Sequence, residues 1–99
     1  MTAKDSILRA IQENEATIKT YGVKQIGLFG SFVRLSHKNK SDIDILVEFR
    51  KGKKTFDNYM ELKFFLQKLF HRKVDLVIKE ALKPQIKPHI LQEVQYAQS

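Results

Sequence analysis

The chain has 99 residues, which is the size of one small domain with one hydrophobic core, so we predict a single domain over residues 1–99. Its 42% hydrophobic and 29% charged residues exclude a disordered chain, and the lack of cysteine excludes disulfides, thiolate metal sites and a cysteine nucleophile. We therefore expect a cytoplasmic protein; no apolar run approaches the roughly 20 residues that cross a bilayer, and the net charge of +7 predicts an anionic partner.

The first third of the chain predicts a helix, a strand and a turn. Apolar residues at helical spacing indicate an amphipathic helix over about residues 4–20, which ends at Tyr21-Gly22. Residues 23–29 form a short apolar strand that Gly30-Ser31 closes. We expect a brief helix from Phe32, followed by an exposed basic loop.

The rest of the chain predicts two more strands and two more helices. Apolar and polar residues alternate over residues 42–49, which is typical of a strand with one buried face. A helix is predicted over residues 56–70, a third strand over 73–78, and a last helix that starts near Pro84 or Pro88. The fold class is therefore α/β (α+β), a small mixed sheet of three to four strands flanked by helices.

Three aspartates occupy positions that suit a metal site. Asp42 and Asp44 are two residues apart on a strand, so their side chains project from the same face. If the third strand pairs beside the second, Asp75 lies on that face too. Clustered carboxylates repel one another unless a cation compensates them, and oxygen ligands favour Mg²⁺ or Mn²⁺.

Each of these features also has a plain structural interpretation. Acidic residues often keep the solvent face of an edge strand soluble and unpaired. Gly30-Ser31 could be an ordinary glycine turn with a helix cap, or a turn whose backbone N–H groups and hydroxyl bind a phosphate. The residues alone leave both interpretations open.

The motifs taken together resemble the minimal nucleotidyltransferases, within the superfamily of DNA polymerase beta type. The pattern is Gly30-Ser31, ten intervening residues, then Asp42-Ile43-Asp44, with Asp75 on a later strand. The likeness also includes Leu28-Phe29 before the glycine and extends loosely into the tail. One departure is Leu35, which stands where many members have a glycine after the arginine.

This resemblance implies a transfer reaction. Asp42 and Asp44 would bind two Mg²⁺ ions, or Mn²⁺ ions, that hold the triphosphate of ATP, and Asp75 would join the ion nearest the attacking hydroxyl and help to deprotonate that hydroxyl. Gly30, Ser31 and Arg34 would bind the nucleotide at its outgoing pyrophosphate end. The transferred group would be a nucleoside monophosphate, most simply AMP.

The resemblance also implies a partner, a small helical toxin of the HEPN type, for which such a protein acts as antitoxin by attaching AMP to a tyrosine. Two alternatives remain: an antitoxin that neutralises its partner by binding alone, and a nucleic-acid-binding or nucleic-acid-modifying protein that uses the basic surface. The nucleic-acid alternative has little support, because the sequence shows neither a helix-turn-helix pattern nor an aromatic RNA-binding pattern.

Whether the protein forms a homo-oligomer or a hetero-oligomer stays open, although Phe64 or Tyr59 could leave an exposed apolar patch for another chain.

Overall fold

A mixed sheet of four strands, in the order β3-β2-β1-β4, organises the fold. The computed structural model describes residues 2–97; residue 1 and residues 98–99 of the predicted domain lie outside this range. The strands are β1 (Val23–Phe29), β2 (Ile43–Phe49), β3 (Val74–Ile78) and β4 (Gln95–Tyr96). β1 is antiparallel to both β2 and β4, whereas β2 and β3 are parallel. The predicted fold class is confirmed.

The helices are α1 (Ala3–Glu13), α2 (Glu15–Thr20), α3 (Phe56–Phe70) and α4 (Lys87–Glu93). α3 connects β2 to β3, as parallel neighbours require a long crossover. It has the predicted bounds because Thr55 caps its first turn and His71 ends it in a left-handed conformation. α4 has a proline in its first turn, which confirms the predicted start near Pro88.

The predicted helix over residues 4–20 is wrong in one respect, because it is two helices that meet at Asn14. The side-chain amide of Asn14 donates to the carbonyl oxygen of Ala10 at 2.8 Å, and its backbone leaves helical geometry at φ −108° and ψ 20°. Asparagine competes in this way with the regular helical hydrogen bonds. Ile18 in α2 is nevertheless as buried as Ile11 in α1, so the break keeps the apolar face on the core.

Two boundaries near the first strand also differ from the prediction. The brief helix expected from Phe32 is a single turn of 3-10 helix that already begins at Gly30. The second strand begins at Ile43, so Asp42 lies one residue before β2. Both differences place the candidate residues at the end of β1 and the start of β2, which pair with each other.

The hydrophobic core lies between one face of the sheet and helices α1, α2 and α3. Its fully buried aliphatic side chains come from every one of these elements: Ile7, Ile11, Ile18, Val23, Ile26, Leu28, Ile43, Ile45, Val47, Leu62, Leu66, Val74 and Leu76. On α3, Leu62 and Leu66 are fully buried, whereas Phe65 and Leu69 are half-buried. Leu46, on the opposite face of β2, is also only 1% exposed, so the central strand is covered on both faces there.

Within residues 2–97, no helix is both long enough and apolar enough to cross a membrane.

Candidate active site

The acidic residues come together where β2 and β3 begin side by side. In the parallel register, Asp44 of β2 lies opposite Asp75 of β3. Adjacent strands are about 4.8 Å apart and paired residues point to the same face, so the two carboxylates share one face of the sheet. Asp42 is exposed just before β2, Asp44 is half-buried, and Asp75 is exposed. The predicted juxtaposition of Asp44 with Asp75 is confirmed.

The neighbouring carboxylates change the electrostatic environment of Asp44. Burial, followed by the negative charges of Asp75 and Asp42, raises the pKa of the Asp44 carboxyl to about 6. The positive charge of Arg34 acts in the opposite direction on the same pKa. A cation bound near Asp44 would therefore offset the negative charge of these carboxylates.

The donor chemistry of these residues fits a hard divalent cation, since every candidate ligand atom is a carboxylate oxygen. Residues 2–97 contain no group of three acidic, histidine or cysteine side chains that together could hold a metal ion as they stand. In phosphate-transfer sites, Mg²⁺ is usually bound by one or two carboxylates, and substrate phosphates complete the shell. The arrangement fits a cation that binds together with a triphosphate.

Gly30 connects the end of β1 to the carboxylates. It has φ +81°, a left-handed conformation that side chains rarely adopt, and a Cβ placed on it would overlap the carboxylate of Asp44. Phe29, the preceding residue, pairs with Asp44 across the β1–β2 ladder. Glycine is therefore required here by the close approach of Asp44. Ser31 follows in the 3-10 turn and is half-buried.

Arg34 has a partner that the sequence did not suggest. Its Nη1 donates to Oε1 of Glu93 at 2.7 Å, and the backbone N–H of Gly30 donates to Oε2 of the same carboxylate at 2.7 Å. Glu93 is the last residue of α4 and lies 63 residues from Gly30 in the chain. No motif in the sequence marks Glu93; only the pairing of β4 with β1 brings it to the site.

Leu35 keeps the backbone that a glycine would favour. Its φ is +60°, and its side chain is largely exposed to solvent. The leucine therefore introduces local backbone strain at a position where a glycine would be unstrained.

The loop before Asp42 is anchored by Arg72. Its Nη1 donates to the carbonyl oxygens of Asn39 and Ser41, both at 2.9 Å, and its guanidinium lies 5.3 Å from the centre of the Phe32 ring. Arg72 lies two residues before the start of β3, so one side chain connects the loop before Asp42 to the segment that leads into the strand carrying Asp75. This is a second positioning contact that the sequence did not reveal.

The fold and this site define a nucleotide-transferring class of protein, and the comparisons agree. The model of the nucleotidyltransferase domain family matches residues 5–97, so the chain belongs to that family. Protein adenylyltransferase MntA of Thermococcus cleftensis is 43% identical over 76 residues, which are 77% of this chain and 76% of that protein. The resemblance predicted from Gly30-Ser31 and Asp42-Ile43-Asp44 is thereby confirmed.

Two solved structures share the fold. One, provisionally described as a minimal nucleotidyltransferase, superposes with a TM-score of 0.79 at 30% identity, covering 96% of this chain and 95% of that chain. Another is a tri-AMPylated Shewanella oneidensis HEPN toxin in complex with an MNT antitoxin, which matches with a TM-score of 0.64 at 18% identity over 93% of this chain and 72% of that chain. The second likeness supports the fold alone.

Proposed function

We propose that this protein transfers AMP from ATP to a partner protein and so acts as the antitoxin of a HEPN/MNT pair. The observation that carries the proposal is the contact between Gly30 and the carboxylate of Asp44, which itself lies opposite Asp75. The turn that we propose to bind phosphate therefore lies directly against the carboxylate of Asp44. The relative from Thermococcus, named a protein adenylyltransferase, supports AMP as the transferred group and a protein as the acceptor.

Asp42, Asp44 and Asp75 would hold two Mg²⁺ ions, for which Mn²⁺ is a substitute, with Asp75 on the acceptor side. The ions would neutralise charge on the attacking and leaving oxygens of the phosphate. Gly30, Ser31 and Arg34 would orient the outgoing pyrophosphate.

In the reaction, the acceptor hydroxyl oxygen forms a bond to the α-phosphorus as the bond from that phosphorus to the bridging oxygen of pyrophosphate breaks. The hydroxyl proton passes to the carboxylate of Asp75, which is exposed and therefore accessible to an incoming acceptor. Alignment and charge neutralisation are the main contributions of this chain.

The acceptor would come from another molecule. Residues 2–97 would form the nucleotide half of a transfer site, and Asp75 lies on β3, an edge strand of the sheet. We propose that a tyrosine of a HEPN-type helical toxin approaches at this edge, in the cytoplasm, where ATP is abundant. An MNT antitoxin of the same fold was solved in complex with an AMPylated HEPN toxin, and that complex suggests the kind of partner that we propose. The single domain predicted over residues 1–99 would then act in a hetero-oligomer.

Changing both Asp42 and Asp44 to Asn tests the proposal with the largest expected effect. The wild-type chain, incubated with ATP, Mg²⁺ and the HEPN-type product of an adjacent gene, is expected to add AMP to that protein, detected by intact mass spectrometry. The double variant is expected to lose at least about 1,000-fold in rate, because the charge on the phosphates is no longer neutralised. Asp57→Asn, an exposed carboxylate at the start of α3, is the matched control and should retain full activity.

The same variant separates transfer from neutralisation by binding alone. If the double variant still protects cells from the toxin as well as the wild-type chain does, the antitoxin works by binding. If the wild-type chain forms no adduct with any nucleoside triphosphate, the transfer reaction itself is refuted.

A further inference from the structure

Glu93 uses both of its carboxylate oxygens at the candidate active site. One oxygen accepts a hydrogen bond from the Gly30 N–H and the other accepts one from Arg34, each at 2.7 Å. Its side chain is only 20% exposed, although it ends a short helix in the C-terminal part of the chain. The Gly-Ser turn and the arginine are thus tied to one distant carboxylate.

The sheet explains why a carboxylate is needed there. β4 pairs with β1 so that Gly27 faces Tyr96 and Leu28 faces Gln95. Continuing this antiparallel register would place residue 93 opposite residue 30, but β4 begins only at Gln95. The Glu93 side chain therefore supplies the acceptor for the Gly30 N–H where no backbone carbonyl does so.

The ion pair also restrains a side chain that would otherwise be mobile. Arg34 is 58% exposed, and exposed ion pairs between two freely moving side chains contribute little. Here the Gly30 N–H and the surrounding burial already fix the carboxylate, so the guanidinium gains a rigid anchor. A guanidinium has five N–H donors and this bond involves one terminal nitrogen, so donors remain for phosphate oxygens.

We propose that Glu93 is a positioning residue for nucleotide binding: it fixes the Gly30 backbone and aims the Arg34 guanidinium at the triphosphate. The segment formed by α4 and β4 then contributes to nucleotide binding through Glu93. This role rests on the proposed function, since it assumes that Arg34 contacts ATP.

A double-mutant cycle measures this role through equilibrium binding of Mg²⁺-ATP by titration calorimetry. Glu93→Gln keeps the side-chain length and an acceptor for the Gly30 N–H but loses the charge that holds Arg34. We expect it to weaken Mg²⁺-ATP binding about tenfold, the effect of one charge-assisted hydrogen bond. In an Arg34→Gln background, Glu93→Gln should change the dissociation constant by less than about twofold, because the guanidinium that Glu93 positions is absent.

Controls separate positioning from loss of structure. Glu61→Gln, an exposed glutamate on α3, removes the same charge and should bind as the wild-type chain does. Glu93→Asp, which keeps the charge but is too short to contact both groups, should also weaken binding, and thermal unfolding checks that each variant is folded. Binding of AMP, which has no pyrophosphate end, should be unchanged by Glu93→Gln when followed by NMR.

The outcomes are distinct. Equal effects of Glu93→Gln with and without Arg34, or equal loss of ATP and AMP binding, would show a purely structural role and refute the proposal. Tighter ATP binding by Glu93→Gln would refute it as well, since Glu93 would then compete with the phosphates. Failure of the wild-type chain to bind Mg²⁺-ATP would instead refute the proposed function, and the role of Glu93 with it.

Discussion

The two faces of β2 carry different kinds of residue: aliphatic side chains of the core on one face and an acidic residue of the candidate site on the other. On one face, Ile43, Ile45 and Val47 are fully buried in the hydrophobic core. On the other face, Asp44 lies between them in sequence, and its pKa is raised to about 6 by burial and by neighbouring carboxylates. Because strand side chains alternate, one five-residue stretch stabilises the fold and places unfavourable charge at the candidate site. We therefore expect conservative substitutions on the core face of β2 to change stability without changing the candidate site.

The largest expected effect on stability comes from the core face. Ile45 is fully buried and lies opposite Leu28 of β1 and Leu76 of β3. Changing Ile45 to Ala leaves a cavity between three strands and is expected to lower the free energy of unfolding by about 3–4 kcal/mol. Urea unfolding followed by circular dichroism measures this, with Ile45→Val as the milder control at about 1 kcal/mol.

Nucleotide binding should respond differently to these core substitutions. Below the unfolding transition, Ile45→Val is expected to bind Mg²⁺-ATP with unchanged affinity, because its side chain is on the face away from Asp44. A clear loss of affinity in the folded variant would contradict the separation of the two faces.

The second largest expected effect on stability comes from Gly30, where the turn after β1 lies against the candidate active site. Gly30→Ala combines a left-handed backbone with a collision against the Asp44 carboxylate. We expect it to lower the free energy of unfolding by about 2–3 kcal/mol and to weaken nucleotide binding. Thermal unfolding and ATP titration check both expectations.

Gly52 provides a matched control for Gly30. It has a similar φ of +78°, but a Cβ there would meet no atom within 4 Å. Gly52→Ala therefore carries the backbone strain alone, about 1 kcal/mol, and no loss of nucleotide binding. If the two alanine variants were equally stable, the close approach of Asp44 to Gly30 would be ruled out as the reason for the glycine.

The parts of the fold and site that the sequence predicted are those with a local pattern. Period-two alternation located β2, and the apolar run of α3 gave its bounds. That Asp42 shares a face with Asp44 stays a prediction, because Asp42 lies one residue before the strand. Asp75 followed from one assumption, that β2 and β3 pair with their apolar sets together, and the register of Asp44 with Asp75 bears it out. The positions of β2 and α3 were predictable because neighbours in sequence determine them, whereas the pairing of Asp44 with Asp75 depended on an assumption about strands far apart in the chain.

The parts that were missed depend on distant or very short features. β4 has two residues, too few for alternation to be detected, and its pairing with β1 is what brings Glu93 to Gly30. The break at Asn14 arises from a side-chain hydrogen bond that leaves the apolar spacing intact. No periodicity in the sequence carries either kind of information.

The smallest expected effect on stability is an increase, and it comes from changing Asp44, on the face of β2 that carries the candidate site. The raised pKa of Asp44 means that the folded state binds more protons than the unfolded state between the unfolded pKa of about 4 and the folded pKa of about 6. Stability therefore falls as the pH rises through this window, and the full penalty applies above it. Asp44→Asn removes the charge, so without divalent metal we expect it to stabilise the protein at pH 7.5 by about 1 kcal/mol, allowing for partial exposure to solvent.

At pH 4 and below, the wild-type carboxyl is protonated in the folded state, so the stabilising effect of Asp44→Asn should disappear. Thermal unfolding of both proteins across pH 4–8 measures this. The control is Asp57→Asn, which should not stabilise the protein at pH 7.5, because Asp57 lies in the first turn of α3 and its charge interacts favourably with the helix N-terminus. A stabilisation independent of pH would mean that the carboxylate charge is not its origin. Adding Mg²⁺ should stabilise the wild-type chain and reduce the advantage of Asp44→Asn, because a cation compensates the charge that the asparagine lacks. Asp44 lowers the stability of the folded state at neutral pH, and a bound cation would offset that loss. This is the behaviour expected of a carboxylate in a site that binds a metal ion together with a triphosphate.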